Sequence, residues 1–433
     1  MRPVLNPDRE PPTRLPWMQV AALTSFAVAI GITINTLDPP LLGHRLLDLA
    51  PANKNVALGL ITLGGLLAAM IWQPVVGALS DRTRTAWGRR LPYLVAGTPI
   101  VVIGLLSVVA VPSLGLLLAA VVVTQLGINT VQGPWQALIP DRLPAHQRGR
   151  AAGLKSAFEI LGFVIGRQLA GQLVAAGQPL LAAAVAGVSM CIALAITARL
   201  AAERAAATSV PPVAAGRARQ LLPELRRHPA FAPWFANRLL IWGGFITLNT
   251  FLLFYVIDVL GMPQDQAQRY IANLATIIGL MLLLVPLPAG WLADRFGRRP
   301  LLVSAGLLAS GGTALILVAR DPGVLLLAAG VLGLGVGVFL SASWALVTDI
   351  VPRADAARYL GVANIATAAG SAVARLIGAA LIDPLNRLFG TADGGYLVVY
   401  SLALAAFAFG TVIALGIPSP PLPADDSPHP PAA

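Results

Sequence analysis

Cysteine is almost missing from this chain: a single copy, Cys191, lies inside an apolar run. A lone thiol excludes a disulfide framework and a cysteine metal cluster. The four histidines are scattered, with no HExxH pair or other metal-ligand spacing, and no glycine-rich phosphate loop follows a strand. Charge is short as well. Charged residues make up 11% of the chain, against roughly 25% in a soluble domain, and only two of them are lysines, Lys54 and Lys155. With no chemistry for an enzyme, neither a cofactor nor a metal is expected.

Apolar residues fill the space that charge leaves, at 57% of the chain, with a mean hydropathy of +0.76. A bilayer-spanning helix needs about 20 mostly apolar residues. Runs of that kind fall at 17–38, 55–79, 91–112, 114–139, 150–175, 179–199, 231–257, 268–292, 300–319, 322–348, 357–382 and 394–416. The expected fold is therefore an all-α integral membrane protein of twelve spans. The first run is too long for a cleavable signal and leads directly into further spans.

The net charge of +11 is unevenly placed. With the amino terminus inside, the inner loops and tail hold 21 of the 30 Lys and Arg. The outer loops hold five: Arg45, Lys54, Arg269, Arg320 and Arg387. Such asymmetry orients membrane proteins with the basic side in the cytoplasm. Both termini are thus expected inside a cytoplasmic membrane, and nucleic acid is not an expected partner.

The long polar linker at 201–230 separates an amino-terminal tail (1–16) and six-helix bundle (17–200) from a second bundle (231–416) and a Pro-rich tail (417–433). The two bundles repeat. Gly77, Leu79, Asp81 and Arg82 in "GALSDRTRTAWGRRLPYL" match Gly290, Leu292, Asp294 and Arg295 in "GWLADRFGRRPLL". After a four-residue insertion, Gly88-Arg89-Arg90 matches Gly297-Arg298-Arg299. At a spacing of 208, Asp141, Pro144, Arg150, Gly162 and Arg167 then match Asp349, Pro352, Arg358, Gly370 and Arg375. Parallel six-helix repeats belong to transporters that rock around a midplane site.

On these motifs the sequence resembles the major facilitator superfamily over nearly its whole length. The second copy fits the family pattern G-x-L-x-D-R-x-G-R-[RK]. The first copy, with its insertion, and "QGPWQALIPDRLPAHQRGRAAGLKSAFEILG" resemble the branch of sucrose/proton and glycoside–pentoside–hexuronide symporters. The resemblance implies two pseudo-symmetric bundles and seats Asp81 against the start of span 11, near Arg353 to Arg358. By repeat symmetry Asp294 would meet the start of span 5, near Arg148 to Arg150. Together with Gly77, Arg82, Arg89, Arg90, Asp141, Arg150, Arg295, Arg298, Arg299, Asp349 and Arg358, these acids form a candidate cytoplasmic gate.

Charge inside a bilayer costs ~2.5–3.5 kcal/mol per residue on insertion scales and marks candidate sites. Span 5 carries Lys155, Glu159 and Arg167, which fit one face about 120° wide. Glu159 is the leading candidate for proton coupling, with Lys155 as its partner and Asp38, expected at the outer end of span 1, as a further candidate. Candidate substrate ligands are Arg167, Arg375 and Arg238, with Asn129, Gln132, Trp135, Gln136, Asn249, Trp344 and Asn364. Arg375 and Arg238 have an alternative role, pairing with Asp258 or a backbone carbonyl. Aromatic faces flanked by amides suit a sugar. Span 4 lacks the carboxylate that couples protons in parts of that branch. The expected function is secondary transport of a small polar solute, a sugar or glycoside, with protons, by a monomer surrounded by lipid. Export of a drug or metabolite, and a non-transporting membrane role, are the competing readings.

Overall fold

The computed structural model describes residues 15–202, 231–350 and 356–417. Side chains at 145, 201–202, 348–350 and 356–363 are outside that description. Among the described residues the structure is helical throughout, and twelve helices are long and apolar enough to cross a membrane. They are α1 (Trp17–Leu49), α2 (Lys54–Arg82), α3 (Leu91–Ala110), α4 (Leu114–Arg142), α5 (Ala145–Ala175) and α6 (Pro179–Ala202). The carboxy-terminal six are α7 (Phe231–Asp258), α8 (Gln264–Leu284), α9 (Arg298–Val318), α10 (Pro322–Ile350), α11 (Ala356–Phe389) and α12 (Gly394–Leu415). Prolines open several of them, at Pro92, Pro179 and Pro322, where a missing N–H leaves no helical bond unmade. The side chain of Ser113 caps α4, accepting from the Leu116 N–H at 3.4 Å.

Two helices depart from the expected pattern. α1 does not stop at Asp38. An irregular turn, Leu37–Leu41, has non-helical torsions at Asp38 (φ −124°, ψ 118°), and the helix then resumes over Leu42–Leu49. Pro39 and Pro40 supply no amide hydrogens to the ladder, which explains the break. In α8 the break comes at Val285, before Pro286, and a short extension, Pro286–Phe296, follows.

By internal contacts the chain divides into two compact units. One is Met1–Ala215 with Leu252–Gly279, and the other is Gly216–Phe251 with Leu280–Ala433. The carboxy-terminal part of α7, from Leu252, and most of α8 thus group with the amino-terminal helices, a division that differs from the bundle boundaries expected at 17–200 and 231–416.

Within each unit the repeat has a physical counterpart. α1 and α5 approach to backbone contact at Gly31 and Gly162, where an added Cβ on either would fall 2.9 Å from the other's Cα. In the second unit α7 and α11 meet in the same way at Gly243 and Gly370, and Gly370 is the repeat counterpart of Gly162. The turn glycines agree too: Gly88 has φ 87° and Gly297 has φ 89°. Gly297, with ψ 160°, occupies a region that essentially only glycine tolerates, where a side chain costs about 1–3 kcal/mol. Gly297→Ala is therefore expected to lower the melting temperature in detergent, whereas Gly77→Ala, whose Cβ would meet nothing within 4 Å, is expected to leave it unchanged.

Candidate functional site

At the arginine-rich end of the first unit, Arg90 is the organising residue. Its side chain is 8% exposed and reaches three groups: Asp81 at 2.7 Å, Asp141 at 3.2 Å and the Ser80 hydroxyl at 2.6 Å. Arg89 adds a second contact to Asp141 at 2.7 Å. A guanidinium offers five donors in a fixed fork, so one buried Arg can tie α2 to α4 across the loop that precedes α3. Arg82 and Arg150 are exposed and make no ion pair among the described residues. Arg150 therefore does not join the cluster as expected, because α5 turns it toward the surface.

The equivalent end of the second unit is looser. Asp294 is 72% exposed and meets Arg298 at 3.3 Å. Arg295 lies over the rings of Trp291 and Phe296, each 5.6 Å away, and Arg299 is half-buried. The side chains of Asp349 and Arg358, and the expected seat of Asp81 near Arg353 to Arg358, lie outside the described residues. Arg148 donates to the backbone carbonyls of Pro140 and Leu143.

Midway along α5, Lys155 and Glu159 pair at 2.6 Å, one helical turn apart. Lys155 also lies 5.9 Å from the centre of the Trp135 ring. Trp135 itself is fully buried and donates to the Leu23 carbonyl at 2.9 Å. Its expected place in a substrate lining is thus corrected: it packs α4 onto α1 and supports Lys155 from behind. Asn129 is buried as well and bonds back to the Gln125 carbonyl. Gln132 and Gln136 are half-buried.

One and a half turns beyond Gly162, Arg167 is 4% exposed and lies over the Phe163 ring at 5.5 Å. Asp38 lies in the break of α1, half-buried within a helix that continues, and not at the end of span 1 as expected. One of its oxygens, Oδ1, is buried with no hydrogen-bond partner.

In the second unit Arg238 takes an analogous position. It is 3% exposed and donates to the Thr367 and Ser343 hydroxyls at 3.0 and 3.2 Å. The half-buried ring of Trp344 lies 4.4 Å from it, with Trp234 and Phe339 farther off. The repeat spacing of 208 puts Thr367 in the place of Glu159, and Trp344 in that of Gln136. Both units thus hold a cation against tryptophan, half-buried in the first and buried in the second, and among the described residues only the first supplies an acid beside it. That register was readable in the sequence; the pairing of α7 with α10 and α11 was not. Arg375 donates to its own helix at the Ser371 carbonyl, 3.0 Å away. Asn249 is half-buried and Asn364 exposed. Asp258 meets Lys54 at 2.5 Å, a contact no local pattern indicated.

A family model described as "MFS/sugar transport protein" matches residues 53–417. Among curated relatives, the minor myo-inositol transporter IolF of Bacillus subtilis is 35% identical over 20% of this chain and 20% of its own. The multidrug resistance protein MdtH of Klebsiella pneumoniae is 29% identical over 39% and 41%. The sucrose transport protein SUT1 of Oryza sativa is 29% identical over 24% and 23%. The matches span about two fifths or less of these relatives' lengths. Among solved structures, the nucleoside transporter NupG aligns over 92% of this chain and 99% of its own, with a TM-score of 0.69 at 14% identity. A bacterial homologue of the human lysosomal transporter Spinster aligns over 92% and 94%, with a TM-score of 0.67 at 15% identity. These two likenesses establish the fold.

Proposed function

Because the chain belongs to the family of MFS/sugar transport proteins, and so is a membrane-integral secondary transporter and not an enzyme, we propose that it carries a small polar solute of the sugar or glycoside class together with protons. The observation that supports this most is an unsealed ion pair. Lys155 and Glu159, midway along α5, keep 22% and 38% of their side-chain surface exposed. Charges at that depth face water and not lipid, so this face of α5 borders an aqueous cavity. Arg238, with Ser343, Thr367 and the Trp344 ring, supplies donors and an aromatic surface in the second unit, which suits hydroxyl groups carried on an apolar ring face. The arginine-rich ends lie in the cytoplasm, with both termini, and the carrier works as a monomer. Glu159 and Asp38 are the acids placed to take the proton.

The likeness to sucrose and myo-inositol transporters favours this class. The likeness to a multidrug resistance protein favours a second reading, proton-driven export of a drug or metabolite. Uptake into proteoliposomes separates them. Radiolabelled sucrose, myo-inositol and neutral glycosides should accumulate above equilibrium under an inside-alkaline gradient and stop when a protonophore is added. Arg238→Gln should slow uptake about tenfold or more, the loss of a charge-assisted hydrogen bond. No sugar uptake, with gradient-driven extrusion of an amphipathic dye, would establish the second reading.

A further inference from the structure

Among the described residues, Arg238 is a buried cation with no acid beside it. The groups it meets are neutral: the hydroxyls of Thr367 and Ser343 and the rings of Trp344, Trp234 and Phe339, all within the second unit. Its surroundings are α7, α10 and α11, and these helices carry one acid each. Asp258 lies 20 residues further along α7, about 30 Å at the rise of a helix, and is paired with Lys54. Asp383 lies 16 residues beyond Thr367 on α11, about 24 Å. The side chain of Asp349, near the end of α10, is outside the described residues. In the first unit the place of Thr367 is held by Glu159, which pairs with Lys155. The second unit has kept the cation and the tryptophan and put a hydroxyl where the acid would stand.

A guanidinium has five N–H donors. Nε donates to Thr367 at 3.0 Å and Nη1 to Ser343 at 3.2 Å, which leaves both N–H groups of Nη2 with no acceptor among the described residues. Nη2 is not sealed in the core, as the unpaired Oδ1 of the neighbouring Asn237 is, so a solute can reach it. Two half-buried indoles stand nearby. One is Trp344, 4.4 Å from the guanidinium. The other is Trp242, one turn further along α7, whose Nε1 donates at 3.1 Å to Ser371, one turn beyond Thr367.

Resting on the sugar-transport reading above and narrowing it, we propose that the preferred cargo is a sugar acid, a polyhydroxylated ring bearing one carboxylate, and that Arg238 receives the carboxylate through Nη2. A buried charge is costly unless it is both paired and hydrogen-bonded, so the place beside Arg238 favours an anion over a hydroxyl. A hydrogen bond between two charged groups is also about twice as strong as one between neutral groups. A single negative charge is the right number. α7 and α10 carry no other Lys or Arg, and the nearest on α11, Arg375, lies about two turns beyond Thr367 and donates to the Ser371 carbonyl. A phosphate monoester, with nearly two charges at pH 7, would keep one of them unpaired. The indole faces suit the C–H face of the ring. A neutral sugar of the same shape fits the indoles but leaves the cation uncompensated, so Arg238 sets the preference between the two.

Matched pairs of radiolabelled solutes provide the test: glucose with glucuronate, galactose with galacturonate, and methyl glucoside with methyl glucuronide. The members of a pair share a ring and differ only at the carbon that bears the carboxylate. Equilibrium binding is measured on the full-length protein in detergent at about pH 7.5, where the carboxylates are ionised. In at least one pair the acid should bind about tenfold or more tightly than its neutral partner, the effect of a charge-assisted hydrogen bond. Arg238→Gln should abolish that preference, and Arg238→Lys should keep part of it. Thr367→Glu is the sharper variant. It presents to Arg238 an anion from α11, as Glu159 does to Lys155 in the first unit, and should remove the preference with the arginine still in place. Neutral sugars that bind the unaltered protein as tightly as their acids would overturn the proposal and leave the sugar reading intact, even if the Arg238 variants failed to fold. A preference for the acid that survives in Arg238→Gln or in Thr367→Glu would overturn it too. Binding of no member of any pair would overturn both readings. The expected binding pattern without gradient-driven uptake would support the carboxylate site and refute proton coupling alone.

Discussion

Arg90→Ala should be the most damaging single substitution in the first unit. Arg90 is the one side chain that touches Asp81, Asp141 and Ser80 together. Its removal leaves two acids facing each other with only Arg89 to offset Asp141. Breaking a buried pair costs about 3–5 kcal/mol, and the 43% exposure of Asp81 brings the expected loss toward the lower figure. The measurable result is a melting temperature lower by several degrees in detergent and little folded protein in the membrane. Arg90→Lys should recover only part of this. A lysine brings the charge but not the planar fork that divides its donors between three acceptors. If Arg90→Lys matches the parent protein, the cluster works by charge alone.

The second large effect concerns Lys155 and Glu159. Lys155→Met should impair stability and transport more than the double change Lys155→Met with Glu159→Gln. The single variant leaves a mid-membrane carboxylate without its cation, at a cost of about 1–3 kcal/mol for a group whose partner is lost. The lower end applies, since Glu159 keeps contact with water. The double variant keeps the shape of both side chains and strands no charge. Glu159→Gln alone should abolish gradient-driven accumulation and keep exchange, because Glu159 is the leading candidate for the coupling acid. Retained accumulation in Glu159→Gln would move the coupling acid to Asp38.

The fold could be read from the sequence because a bilayer imposes a coarse, local rule. Runs of about 20 apolar residues fix helices. The repeat added the arginine-rich cluster, with Asp81, Arg90 and Asp141 placed correctly around one loop. Arg150 was misjudged, since sequence proximity says nothing of which side of a helix turns outward. Asp38 was misplaced for a local reason: two prolines in succession look like a terminus, whereas here they interrupt a helix that continues. Trp135 shows the same limit, because a tryptophan that lines a cavity and one that closes a core have identical neighbours in the chain. Lys54 with Asp258, 204 residues apart, had no sequence signal beyond the scarcity of lysine.

Seen mechanically, the glycine seam between α1 and α5 makes the lower part of α1 a fixed post. Gly31, Gly162 and Gly166 bring the two backbones together with no side chain between them, which leaves no play for sliding or tilting below the prolines. All the compliance of the first helix is then gathered at a fulcrum, Asp38, and the eight residues of Leu42–Leu49 form a lever about 12 Å long. A swing of about 20°, no more than an ordinary helix kink, carries the tip of such a lever about 4 Å. Hydrogen bonds end well within that travel. The far end of the arm, at Leu49, can therefore part from its neighbours with no large rearrangement of the post, whereas His44, the third of its eight residues, moves only about 1.5 Å.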